Sequence, residues 1–231
     1  MRDPEKARKL TPHDHYARRP LCDGGYYEQF NRDNVSIVDL LETPITCITP
    51  NGIKTSDGVE HDLEIIIFAT GFDAIDGNYT RINIRGRNDK TLKEHWGAGP
   101  TSYLGTNIAH FPNLFMVTGP QGPFCNIPAA IEAHVEFITA TIQQAEKVTA
   151  QSATQAVVET TEQAEHDWNK ICEGAVEGSL FKETASWIFG SNVPGKPYAL
   201  RFFFGGLKRF REEIQKVVQD NYRGYEPFIP S

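Results

Sequence analysis

An α/β fold is the class this sequence predicts, and three observations predict it. Residues 65–69 form a continuous, mostly β-branched apolar run that leads to Gly71. A run of that kind suits a strand covered on both faces, as in a parallel sheet. Residues 113–119 repeat the pattern, with Leu114, Phe115, Met116 and Val117 leading to Gly119. A Gly- and Pro-rich turn follows, and then Ile131, Val135, Ile138 and Ile142 fall at helical spacing. Strand, glycine turn and helix start together suit a polar ligand edge. An ordinary strand–loop–helix unit carries the same pattern, and these residues alone favour that plainer reading.

The remaining elements follow in chain order. Pro4 is placed to start a short helix over residues 5–10. Pro20 forces Arg19 towards an extended backbone, beside a second arginine, Arg18. Residues 35–41 alternate apolar and polar positions and predict a strand, and residues 45–48 predict another. Asn51-Gly52 and Asp57-Gly58 are hairpin turn signals, so a small antiparallel excursion leads into the run at 65–69. Residues 76–87 are rich in Gly and Asn and predict turns and short strands, and residues 92–96 a single helical turn.

Asn126 is placed to cap a helix over about 128–147, with Glu132 near its start. Thr160 and Gln163 stand at capping-box spacing, before a helix to about 173 with Trp168, Ile171 and Cys172 inward and Gly174 and Gly178 at its end. Gly190, Gly195 and Lys196 match most of a phosphate-binding loop, but Pro197 stands where the magnesium-holding hydroxyl belongs, so triphosphate binding is rejected. Residues 199–204 predict an apolar strand. A last helix then runs to about 221, with Leu207, Phe210, Ile214 and Val217 on one face.

The 231 residues are 39% hydrophobic, enough for one sizeable core or for a large domain with part of another. A net charge of -7 argues against nucleic acid or an anionic membrane as partner. No apolar run approaches the roughly 20 residues of a membrane span, and residues 1–5 lack the apolar core of a signal peptide. Cys22, Cys47, Cys125 and Cys172 show no metal or redox spacing, which fits free thiols and a cytoplasmic location.

Residues 69–74, Ala-Thr-Gly-Phe-Asp-Ala, resemble a motif of flavin monooxygenases that also bind NADPH. The resemblance extends from about residue 18 to 224 and is greatest to the Baeyer–Villiger monooxygenases of the cyclohexanone type. It runs through Arg18-Arg19-Pro20, residues 25–35, residues 119–132 and residues 186–197. It implies the C-terminal part of a Rossmann-like flavoprotein with two dinucleotide-binding domains, built of mixed sheets and packed helices. No G-x-G-x-x-G occurs in the chain, so the N-terminal nucleotide-binding halves are expected to be absent and the chain to be a fragment, inactive alone.

On this resemblance residues 1–17 are a linker or the end of a helical insertion. Residues 18–70 close an NADPH-binding domain, and residues 71–231 are the C-terminal part of an FAD-binding domain. Arg19 matches the active-site arginine. Arg18 stands where the family uses a lysine against the 2′-phosphate of NADPH; it keeps the charge but not the geometry. Thr70, Gly71 and Phe72 form the cofactor-side turn, and Asn126 and Ile127 present backbone to the flavin. Trp187 and Asn192 belong to a loop that closes over NADP and substrate, although a core aromatic is the plainer reading of Trp187. The implied cofactors are FAD and NADPH, the substrates a ketone and O2, and the product an ester or lactone. N- or S-oxygenation, or a non-catalytic remnant, are the alternatives. A separate N-terminal fragment carrying the glycine motifs is a possible partner.

Overall fold

The computed structural model describes residues 1–15, 18, 21–152 and 154–226. The chain is mixed α/β and divides into two compact units, Met1–Gly71 and Phe72–Ser231.

In the first unit, α1 (Pro4–Leu10) starts where Pro4 predicts, with the Asp3 side chain accepting from the Glu5 and Lys6 amides. Lys6 then donates to the carbonyls of Phe30 and Val35, at 3.0 and 2.6 Å, and ties this helix to the chain after α2 (Tyr26–Gln29). Strands β1 (Ile45–Thr49), β2 (Gly52–Thr55) and β3 (Glu60–Asp62) form an antiparallel sheet in sequence order, turning at the two predicted glycine sites. Gly52 is required there, because a Cβ would sit 1.9 Å from the His61 carbonyl oxygen.

Two expectations for this unit fail. Residues 35–41 form no strand, and residues 65–69 are neither a strand nor buried. Ile65, Ile67 and Phe68 are 77, 85 and 70% exposed. An apolar run becomes a strand only when a neighbour pairs its amides and carbonyls, and among the described residues none does so for either segment.

The regular structure of the second unit is mainly helical. It contains α3 (Asp76–Thr80), α4 (Leu92–His95), α5 (Ile127–Gln151), α6 (Glu162–Val176) and α7 (Gly206–Gln219). A two-residue parallel pair joins β4 (Gly122–Pro123) to β5 (Phe202–Phe203). Phe137, Trp168, Phe203 and Phe210 centre the main core, while Leu92, Trp96, Ile108 and Met116 form a smaller one. The α7 face is as predicted, with Phe210, Ile214 and Val217 buried.

Several expectations for this unit are corrected. Residues 113–119 are irregular although Met116 is buried, and only Phe202–Phe203 of the expected strand at 199–204 pairs. Residues 76–80 are helical, because the stretch opens with Asp76 in a first turn rather than in a strand. Thr161, not Thr160, caps α6 by accepting from the Ala164 amide. The Thr160 hydroxyl instead donates to the Gly224 carbonyl at 2.8 Å. The helix passes through Gly174 to Val176, since one glycine costs only about 1 kcal/mol and Val176 gains a buried position.

On α5 the buried face is Ala130, Ala133, His134, Phe137, Thr141 and Ala145. The predicted face points outward, with Ile131, Val135 and Ile142 exposed. The helix carries two apolar stripes, and the small residues of one let α7 and the glycine turn approach closely.

Candidate functional site

The elements that build the site converge on the turn before α5. Its backbone is held from three directions. The Gln121 amide donates to the Arg201 carbonyl at 2.9 Å, and the Phe124 amide to the Phe203 carbonyl at 2.9 Å. The Ser102 hydroxyl donates to the Pro120 carbonyl at 2.5 Å. From α5 itself, His134 Nδ1 accepts from the Thr118 amide at 2.9 Å, with its ring edge against Phe210. His134 is fully buried, and that burial pushes its imidazole down to about 4. The ring therefore stays neutral and remains an acceptor for the turn.

The turn delivers the chain to the start of α5. Asn126 has extended backbone angles and provides no side-chain cap, contrary to expectation, although its carbonyl accepts from the Ala130 amide at 3.1 Å. Asn126 and Ile127 are exposed, and the first turn holds no acidic side chain; Glu132 lies beyond it. The positive end of a 25-residue helix thus faces outward with no acidic side chain in its own first turn, an arrangement suited to an electron-rich ligand edge. Pro128 removes one donor, leaving the amides of Ile127 and Ala129.

Trp187 opens a single 3-10 turn, Trp187–Phe189, which Ser186 caps and Gly190 closes at φ 85. It is partly buried, its ring edge-on to Phe202 with centroids 5.7 Å apart. Asn192 donates its side-chain amide to the Phe72 carbonyl at 2.9 Å, and Phe72 is 86% exposed. So the structure joins Asn192 to Phe72, and Trp187 to the strand that holds the Asn126 turn. In the first unit, Thr70 and Gly71 are exposed, with Gly71 at φ 90. Arg18 is exposed and pairs with Asp14 at 3.4 Å. Arg19 lies outside the described residues.

The sequence reading missed a buried ionic group behind Asn192. Arg201, fully buried, donates from Nε to Asp76 at 2.7 Å. Lys196 sits between Asp76, at 2.8 Å, and Asp73. Burial pushes the Asp76 carboxyl up, but hydrogen bonds and charge from Arg201 and Lys196 outweigh it and hold it below the usual carboxylate range. One signal was available: Arg201 interrupts an otherwise apolar run, and a charge there is buried only when paired. Lys196 was noticed only as part of a phosphate-loop pattern; its ammonium is taken up by the two aspartates and the Ala74 carbonyl.

No family profile matches the chain. Over 98% of its length it is 45% identical to cyclohexanone 1,2-monooxygenase of Acinetobacter sp., of which it spans 41%. It is also 45% identical over 97% of its length to phenazine N-monooxygenase PhzNO1 of Lysobacter antibioticus, again spanning 41%. Among solved structures, cyclohexanone monooxygenase from Rhodococcus sp. Phi1 bound to NADP+ superposes with a TM-score of 0.93 at 49% identity. That match takes in 100% of this chain and 42% of the other.

Proposed function

The chain belongs to the Baeyer–Villiger monooxygenases of the cyclohexanone type, spanning about two-fifths of their length, and from that premise we propose that it serves FAD- and NADPH-dependent insertion of one oxygen atom of O2 beside a ketone carbonyl, giving an ester or lactone. The observation that carries this reading is the continuity of the match: 45% identity over 98% of the chain includes the candidate residues at both ends. In this reading residues 18–70 close an NADPH-binding domain and residues 71–231 complete an FAD-binding domain. The glycine fingerprints that seat both dinucleotides then come from polypeptide outside residues 1–231, which include none. That polypeptide, as a separate fragment or otherwise, is the partner the reading requires.

The start of α5 supports the fit to a flavin, since its outward amides and a first turn without acidic side chains match the electron-rich edge of the ring system. FAD, when bound, supplies electron transfer from NADPH and the activation of O2. The chain's own residues bind and position. Arg18 offers a fork of donors to the 2′-phosphate, with a planar geometry that a lysine lacks. Thr70, Gly71 and Phe72 form a turn that lets backbone approach the cofactors, and Gly71 at φ 90 is the residue that permits it. Arg19 supplies a permanent positive charge to the oxyanion that forms as the carbonyl is attacked; fixed donors of this type contribute on the order of 3 kcal/mol. Trp187 and Asn192, on residues 186–197, cover the nicotinamide and the substrate and keep water out.

The test is co-expression of this chain with the complementary portion of a cyclohexanone monooxygenase, followed by product analysis with cyclohexanone and NADPH. Lactone is expected, and Arg19→Ala in the same complex should keep bound flavin while losing lactone. Lactone at an unchanged rate in that variant overturns the role of Arg19. A second reading, N-oxygenation, has the phenazine N-monooxygenase match in its favour at the same identity; an aromatic N-oxide formed in place of lactone selects it.

A further inference from the structure

We propose that Asp73, Asp76, Lys196 and Arg201 form an ionic latch that pins residues 186–201, with Trp187 and Asn192, onto the turn at residues 72–76, Lys196 being the releasable half and Arg201 the fixed half. This deepens the reading above, because it assigns a positioning role to residues that touch neither substrate nor cofactor in that reading.

The fixed half is built into the core. Arg201 is 0% exposed, and its guanidinium binds Asp76 through Nε at 2.7 Å and Nη2 at 3.4 Å. The same guanidinium donates to its own loop, reaching the Ala199 carbonyl at 2.9 Å and the Pro197 carbonyl at 3.2 Å. Its face lies against Gly190, where an added Cβ would stand 2.6 Å from Nη1. One side chain therefore gathers both ends of the 190–199 loop and fastens them to Asp76.

The releasable half has a different chemistry. Lys196 reaches Asp73, Asp76 and the Ala74 carbonyl, the last two at 2.8 and 3.3 Å, so its three ammonium donors meet three acceptors. Asp73 is the outermost member, its side chain 27% exposed against 9% for Lys196. Lys196 directly follows Gly195, which adopts φ 76 with open space around it, and exposed Asn192 stands four residues earlier on the same loop. The far side of the turn is strained. Ile75 is β-branched yet adopts φ 68 and ψ −86, a conformation that costs of order 1–3 kcal/mol. The residues on either side of it, Ala74 and Asp76, are those the two cations hold. Removing Lys196 leaves Asp73 without its cation and lets the strain at Ile75 relax, so the loop opens locally while Arg201 keeps its core anchor. The Asn192 bond to the Phe72 carbonyl is lost with it.

The experiment is amide hydrogen exchange on the intact 231-residue chain, without cofactor, comparing wild type with Lys196→Gln and Asp73→Asn. The latch predicts exchange faster by about tenfold or more at residues 190–198 in both variants, with α5, α6 and α7 unchanged, since local openings have their own free energies. The double variant should be no faster than Lys196→Gln alone, because the two act through one contact. Acrylamide quenching gives a second readout, since Trp96 and Trp168 are buried and Trp187 is not fully so; quenching should rise in both variants, and the rise should vanish in a Trp187→Phe background. Loop exchange within twofold of wild type overturns the latch, as does a uniform increase across the helices. Neither readout needs flavin, so the latch and the oxygenation reading fail separately.

Discussion

His134 makes the second unit acid-sensitive by an amount the structure sets. The imidazole is fully buried and its Nδ1 already accepts the Thr118 amide, so a second proton has no favourable place to go. Burial lowers its pKa from 6.5 to about 4. A folded-state value below the unfolded one means that the unfolded chain takes up a proton the folded chain refuses. Stability is therefore undiminished above pH 6.5 and falls as the pH drops towards 4. The full loss is about 3 kcal/mol, from a shift of about 2.5 units at 1.36 kcal/mol each. That is a large share of the roughly 5–15 kcal/mol that holds a domain together.

The assay is urea unfolding at steps between pH 7.5 and 4.5, followed by tryptophan fluorescence. Trp96, Trp168 and Trp187 all belong to the second unit, so the signal reports that unit alone. His134→Gln can keep an acceptor for Thr118 but has no titrating group. It should start below wild type at pH 7.5 and lose less as the pH falls, so that the gap closes by about 2–3 kcal/mol. Carboxylates such as Asp76 and Glu165 add acid sensitivity to both proteins and cancel in the difference. Parallel curves, within about 0.5 kcal/mol over the range, refute the assignment of a buried neutral histidine.

The outward stripe of α5 gives a second expectation: Ile131→Lys and Ile142→Lys should change the unfolding free energy from urea titration little, within about 0.5 kcal/mol, and improve solubility, while Phe137→Ala on the other face costs about 3–5 kcal/mol. The reverse ranking would place the core on the wrong face. Gly190→Ala should cost about 2 kcal/mol or more, because it adds a collision with Arg201 to the left-handed strain. Gly195→Ala, left-handed but in open space, should cost only about 1 kcal/mol; equal losses would show that the guanidinium does not press on Gly190. With Ile65, Ile67 and Phe68 exposed in one unit and the α5 stripe in the other, the isolated chain should self-associate at micromolar concentration, as seen by light scattering. A monodisperse monomer throughout that range would count against these surfaces being sticky.

Linear order was sufficient wherever neighbouring residues set the outcome. Proline at the head of α1, glycine turns between three short strands and the inward face of α7 all follow from backbone preference and spacing. The motif resemblance also lay in the linear order, and it pointed to the Asn126 turn and the Trp187 loop as candidates. The rest depended on contacts between distant residues. Periodicity showed that α5 is apolar but not which of two stripes is covered, because that depends on α7 and the glycine turn reaching it. Apolarity marked residues 65–69 as strand-like, but a strand exists only with a partner for its amides. Asp76 and Arg201 are 125 positions apart. No local rule pairs them; burial does, because a guanidinium withdrawn from water must find a carboxylate.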